Sequence, residues 1–133
     1  MKGDQEGCVS HAPAFALSAE ALALDAPGWV SLREGVKIRE LHSSQGLRIA
    51  LLSYVPGAYV PKHTHTGDEH IFVIQGSQSD ENGHHHAGSY VFNPTGSCHS
   101  VHSRVGCLVL IHWRGPVAFI DENHHFGMNH DGI

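Results

Sequence analysis

From Trp29 to Ile120 the sequence is a succession of ten short runs rich in β-branched and aromatic residues, at 29–32, 36–41, 47–55, 58–65, 70–75, 78–80, 89–92, 97–102, 107–113 and 117–120. Gly, Pro, Asn and Asp separate them, and no segment after Asp25 sustains a 3.6-residue period. Short strands at this spacing fit an antiparallel sandwich or barrel and leave little room for anything helical. Asn82-Gly83 marks a tight hairpin. Upstream, residues 18–24 (Ser-Ala-Glu-Ala-Leu-Ala-Leu) can form a short helix capped by Ser18 and stopped at Asp25-Ala-Pro-Gly28. The other reading is an extended arm lying on a neighbouring subunit. We therefore expect an arm over 1–27, disordered at its start, a single barrel over 28–123 and a mobile tail over 124–133.

A chain of 133 residues holds one domain with a true core. Charged residues make up only 16%, against roughly 25% in soluble proteins. Part of the polar role falls to 14 histidines. The formal net charge is −5 and lysines and arginines are isolated, which argues against nucleic acid or an anionic membrane as partner. Cys8, Cys98 and Cys107 are an odd number in no zinc-finger spacing. With no signal segment and no apolar run near 18 residues, this composition predicts a soluble protein of the reducing cytoplasm without a disulfide framework.

The stretch from Gly57 to Gly76 carries the chemistry. His63 and His65 are one residue apart in a β-like run, so their side chains share a face, and Glu69 follows four residues later. Neutral imidazole is a general ligand for transition metals, and a carboxylate adds a hard oxygen. With Glu69 facing inward, Ile71 and Val73 share its face, while His70, Phe72 and Ile74 face out. The same parity puts Tyr59 and Pro61 beside His63.

Downstream lies Gly88-Ser-Tyr-Val-Phe-Asn-Pro94-Thr-Gly96-Ser-Cys-His99. The first stretch fits G-x5-H-x-H-x3-E-x6-G and the second fits G-x5-P-x-G-x2-H at every fixed position. Together they resemble the two motifs of the cupin superfamily. The second motif usually ends in Asn, where this chain has Ser103, a position that is not a ligand. The resemblance implies an all-β, conical jelly-roll barrel and one divalent metal per chain held by His63, His65, Glu69 and His99. Four such ligands leave two positions of an octahedral ion open, which suits iron, manganese, nickel or cobalt. If Glu69 swings away, three histidines and water suit tetrahedral zinc.

A narrower likeness covers residues 28–123: Trp29, Gly35-Val36, Leu41, Ser79-Asp80-Glu81-Asn82-Gly83, Ala87-Gly88-Ser-Tyr90, Asn93-Pro94 and Gly106-Cys107. These are similar to ChrR-type cupins, which include the zinc-binding half of some anti-sigma factors and stand-alone oxygenases resembling acetylacetone dioxygenase and 2,4′-dihydroxyacetophenone dioxygenase. The Thr66-Gly67-Asp-Glu69-His70 run and the ending Gly115-Pro-Val-Ala-Phe-Ile-Asp121-Glu-Asn lean toward the oxygenases, as does the lack of a helical sigma-binding half. Those oxygenases use three histidines at iron, with a variable fourth position.

Two functions stay open at this stage. One is a metal-dependent dioxygenase cleaving a small ketone, diketone or phenolic ketone, with Glu69 as ligand or base and iron as the metal. The other is a zinc-binding sensor or interaction module with a protein partner. A pocket would be lined by Tyr59, Ile71, Val73 and Phe92, with Trp113 a further candidate, and Arg104 or Arg114 could hold a substrate carboxylate. His84-His85-His86 reads as a solvated loop before it reads as a second metal site. His102 reads as surface, and His42 carries no signal. His112 can face the barrel and order a ligand, and His124, His125 and His130 fall in the tail. Cys98, beside His99, is open to oxidation near a redox metal, though a small semi-buried residue is the simpler reading. No nucleophile elbow or phosphate loop is present. Unpaired sheet edges and residues 12–30 point to a homodimer.

Overall fold

The apolar alternation of the chain is realised as ten strands. The computed structural model describes residues 15–120. After a 3-10 turn at Ala19–Leu22 come β1 (Trp29–Arg33), β2 (Val36–Ser44), β3 (Leu47–Tyr54), β4 (Ala58–His65), β5 (Glu69–Asp80), β6 (Gly83–His86), β7 (Tyr90–Asn93), β8 (Cys98–Ser103), β9 (Cys107–Trp113) and β10 (Val117–Phe119). Every pairing is antiparallel. The spatial order is β1-β2-β3-β9-β5-β8-β4-β10, with β6 and β7 also on β5. This is a jelly-roll arrangement of two antiparallel sheets. Among the described residues no helix is long and apolar enough to cross a membrane.

Strand β5 joins the two sheets. Its first half pairs with β7 and β9, and its second half pairs with β6 and, at Ser79, with β8. The crossing falls at Gly76, whose φ is +74° and where a Cβ would lie 2.0 Å from the Gly106 carbonyl oxygen. No side chain fits there, which explains the glycine that closes the first motif.

The inward faces build one core. Val36, Ile38, Ala50, Leu52, Ile71, Val73, Val109, Ile111 and Trp113 come from one sheet, and Ala58, Val60, Val101 and Val117 from the other. Burying a side chain of this size contributes roughly 1.5–3 kcal/mol, so the core holds the two sheets face to face. One buried polar contact crosses between β8 and β5, where Ser103 Oγ donates to the Ser77 carbonyl at 2.6 Å. The serine that departs from the second motif therefore has a structural task.

Three sequence expectations change. The runs 70–75 and 78–80 are one strand, bulged between Val73 and Gln75. Gly83–His86, read as loop, is a strand because it pairs residue for residue with Ser77–Asp80. The expected helix is only a single 3-10 turn. Ser18 makes no side-chain capping bond to the backbone there, and the turn docks through Trp29 Nε1, which donates to the Ala21 carbonyl at 3.3 Å. The arm is thus described only from residue 15, and its Leu22 and Leu24 line a groove with Leu108 and Val105 of its own barrel. The start of the arm and the tail histidines lie outside the described residues, as does Cys8.

Candidate metal centre

Strand β4 presents Ala58 and Val60 inward, then shifts register between Val60 and His63, and presents His63 and His65 inward. A β-bulge of this kind reverses the alternation. Its consequence is that Tyr59 does not share the face of His63. Its side chain is 53% exposed and lines a groove with Arg33 and Pro56 on the outside. Phe92 is outside as well, because it pairs with outward-facing His70 and packs tilted against that ring, with centroids 4.9 Å apart. Of the four expected pocket residues, Ile71 borders the metal cavity and Val73 is fully buried core.

Strand β8 lies beside β4 with His99 directly opposite His63. The rings of His63, His65 and His99 have centroids 4.7–5.1 Å apart. One nitrogen from each falls within 4.8 Å of the others, and all three side chains are buried. The three histidines can hold one metal ion.

The other ring nitrogens fix the tautomers. His63 Nδ1 lies 2.8 Å from the Pro61 carbonyl and His99 Nδ1 lies 3.0 Å from Asp80 Oδ2, both of which only accept. His65 Nδ1 lies 3.0 Å from Ser97 Oγ, whose own proton is committed to the Pro94 carbonyl at 2.6 Å. Each Nδ1 therefore carries the hydrogen, and in the neutral ring each Nε2 turns a lone pair into the cavity. His65 Nε2 is buried without a hydrogen-bond partner. Three converging lone pairs in an apolar cavity repel unless a cation sits between them, so the donor set fits a metal. Burial, opposed by the Pro61 carbonyl, pushes His63 down to about 4, which keeps that ring neutral and ready to bind.

Glu69 completes the cavity wall. Its Oε1 is 3.2 Å from His65 Nε2 and 3.7 Å from His99 Nε2, and accepts from Asn93 Nδ2 at 3.0 Å. Oε2 accepts from the Trp113 indole N–H at 2.7 Å. Burial opposes ionisation of this carboxyl. In the metal-free protein the imidazolium forms of His65 and His99, which present Nε2–H to it, together with the indole N–H outweigh burial and hold Glu69 below the usual carboxylate range. Both donors come from cross-strand register, since Glu69 pairs with Asn93 on β7 and with Trp113 on β9.

Three loop contacts hold the ligands in place. The 94–97 turn is tied to β4 by Gly96 N–H to the His65 carbonyl (2.8 Å) and His65 N–H to the Ser97 carbonyl (2.9 Å). Asp68 Oδ1 accepts from Thr95 N–H and Oγ1–H at 2.9 and 2.8 Å. Gly67 packs so closely on the backbone of Arg114 and Gly115 that a Cβ would come within 2.6 Å of it. The loop before Glu69 is thereby pressed against the strand end that carries Trp113.

Asp80 was legible only as part of a family likeness, yet it supports the centre directly. Oδ2 holds His99, and Oδ1 accepts from the Asn82 N–H (2.9 Å) and contacts His85 Nε2 (3.0 Å). Burial opposes its ionisation, but these contacts keep it below the usual carboxylate range. The remaining candidates lie elsewhere. His42, His84, His86, His102, Arg104 and Cys98 are exposed. His112 turns outward against His70, with ring centroids 5.2 Å apart. Cys107 is buried, and burial pushes its thiol up to about 11.

A two-sheet jelly-roll with inward histidines from paired strands defines a cupin. More narrowly, the model of the ChrR Cupin-like domain matches residues 18–118, and the chain belongs to that family. No curated protein matches the sequence. Among solved structures it is similar to an acetylacetone dioxygenase from Acinetobacter johnsonii, with 23% identity, 84% of each chain covered and a TM-score of 0.69. It is also similar to the anti-sigma ChrR–SigE complex of Rhodobacter sphaeroides, with 22% identity, 84% and 74% covered and a TM-score of 0.60. A cupin-like protein from Ralstonia eutropha JMP134 shares 24% identity over 82% and 76%, with a TM-score of 0.64. At these identities the likeness shows the fold alone.

Proposed function

We propose that this protein is a mononuclear non-haem metal oxygenase acting on a small ketone, diketone or phenolic ketone. The observation that carries the reading is the set of three buried Nε2 lone pairs, each fixed by a hydrogen bond at Nδ1, beside a carboxylate whose Oε1 borders them. The similarity to an acetylacetone dioxygenase over most of both chains supports it. When bound, iron supplies Lewis acidity toward a chelating substrate and electrons toward oxygen. The residues do the rest. His63, His65 and His99 hold the ion, and Glu69 completes the set through Oε1 or takes a proton from substrate. Trp113 and Asn93 keep the carboxylate in place, and the surrounding Leu52, Val101 and Ile111 exclude water. Iron-loaded protein should consume oxygen with a β-diketone. Absence of uptake across a panel of diketones and hydroxyketones, at verified iron occupancy, would overturn the reading.

A second reading is favoured by one observation. The cavity at the ligands is small, about 20 Å³, room for about one water. So small a space suits a zinc-holding sensor or interaction module, and the ChrR likeness supports that alternative. Retained zinc, no exchangeable coordination position and a specific partner protein in a pull-down would establish it over the oxygenase. In either role we place the protein in the cytoplasm as a homodimer. Exposed Phe72, Tyr90, Phe92 and Leu110 on one sheet face support the pairing, and sedimentation showing only monomer at micromolar concentration would refute it.

A further inference from the structure

The cavity at the ligands offers only about 20 Å³, so the body of an organic ligand bound there would extend beyond it. Outside the cavity, one cleft shares with it the residue whose N–H bonds to Glu69. This cleft, of about 320 Å³, lies between the β2–β3 turn and the β9–β10 turn, and is lined by Leu47, Arg48, Trp113, Arg114 and Pro116 among others. Its volume reaches the lower end of small-molecule sites, roughly 300–1,000 Å³. Trp113 belongs to both spaces. On the inner side its indole N–H holds Glu69 Oε2, so anything that presses on this ring presses on the carboxylate beside the histidines.

The chemistry of the cleft is asymmetric. Its lining is largely apolar, with Leu47 and Pro116 beside Trp113, of which only 3% is exposed. Arg48 stacks over the Trp113 ring with its guanidinium 5.0 Å from the centroid. Glu40 already neutralises it, accepting from Arg48 Nε at 2.6 Å and also from Nη2. Arg114 is different. It is exposed at the edge of the cleft and acts on the Asp68 carboxylate only at a distance, since among the described residues no carboxylate lies within ion-pair distance of it. Its backbone N–H donates to the Asp68 carbonyl at 3.0 Å, which fixes the chain from which the side chain projects. The guanidinium is a planar fork matched to a carboxylate, and the apolar lining is matched to an apolar body.

We propose that this cleft is a binding site for a small organic carboxylate, with Arg114 taking the anion and Leu47 and Pro116, beside Trp113, taking the apolar body. The site is built from this chain's own side chains and does not depend on the oxygenase reading. A failure of oxygen uptake leaves it standing, and a failure of carboxylate binding leaves the metal centre standing.

The test uses protein as purified, with benzoate as the probe and benzamide as its uncharged isostere. Isothermal titration should show saturable benzoate binding and at least about tenfold weaker benzamide binding. Tryptophan emission should change with benzoate, and Trp113→Phe should remove the change while Trp29 remains. Arg114→Gln should weaken benzoate at least about tenfold, with unchanged circular dichroism and metal content. Arg104→Gln, at an exposed arginine in the β8–β9 turn, should bind benzoate like the unaltered protein. Equal binding of benzoate and benzamide, wild-type affinity in Arg114→Gln, or no saturation up to about 10 mM would each overturn the proposal.

Discussion

Two histidine pairs with the same spacing lie on strands of this fold. His63 and His65 are on β4, and His84 and His86 are on β6. Both pairs put two rings on one strand face, and the outer pair is the closer, with centroids 4.3 Å apart against 5.1 Å. Spacing therefore does not separate a ligand pair from a surface pair. What separates them is what lies around the rings. The inner rings are 2% and 1% exposed, each Nδ1 has an acceptor, and His99 arrives from the neighbouring strand as a third member. The outer rings are exposed, His84 is bonded only to Ser79 Oγ at 2.6 Å, and β5 offers serines at the positions opposite both.

The largest expected effect breaks that comparison most directly. His65→Ala or His99→Ala should reduce bound metal from about one ion per chain to background, while the double variant His84→Ala, His86→Ala should keep full occupancy. Elemental analysis of protein purified without added metal measures both. Loss of metal in the outer variant would mean that ring spacing matters more than burial.

Next is pH. In the metal-stripped protein His63 is held near 4 by burial, whereas in the unfolded chain it titrates near the ordinary 6.5. Between those values the unfolded state binds a proton that the folded state refuses, so stability falls as pH falls. The cost of acidifying from about pH 7 to pH 4 is roughly 3 kcal/mol from this residue. Urea midpoints at the two pH values should show it, and His63→Gln should flatten the slope.

These differences explain what could be read in advance. Strands 58–65 and 107–113 were legible to the residue because β-branched and aromatic residues recur along them and glycines lie just outside their ends. The three histidines were legible because two motifs fix their spacing. Tyr59 was misplaced because the bulge after Val60 has no marker in the sequence other than Pro61, which lacks an N–H for the ladder. Asn93 and Trp113 could not be assigned to Glu69 from spacing. They are 24 and 44 residues away and meet it only through strand register. Strand β6 was hidden for the same reason, since Gly-His-His-His carries no alternation of its own and borrows its conformation from β5.

A smaller effect tests the support beneath His99. Asp80→Asn keeps the shape but replaces a pure acceptor with a group that can present N–H to Nδ1. Metal affinity should fall about 10–100-fold, read by competition with a chelator, while the folded structure persists. Asp80→Glu, which moves the carboxylate by one methylene, should not restore full affinity, because the oxygens must reach His99 and the Asn82 N–H together.

The smallest effect is the most informative about the outer strand. Alternation along β6 sends His84 and His86 outward and leaves His85 half-buried, with Nε2 3.0 Å from Asp80 Oδ1. Asp80 in turn holds His99 through its other oxygen. The middle histidine of the surface triplet is therefore two contacts from the metal centre, while its neighbours have no such link. His85→Ala removes one of two contacts to Oδ1 and leaves the Asn82 N–H in place, so Asp80 keeps its position but is less firmly held. The expected loss of metal affinity is a few-fold, smaller than the roughly tenfold minimum for changing Asp80 itself. In the Asp80→Asn background His85→Ala should have no further effect, because its only route to His99 is already cut. Additive losses in the double variant would show that His85 acts on the centre by some path other than Asp80.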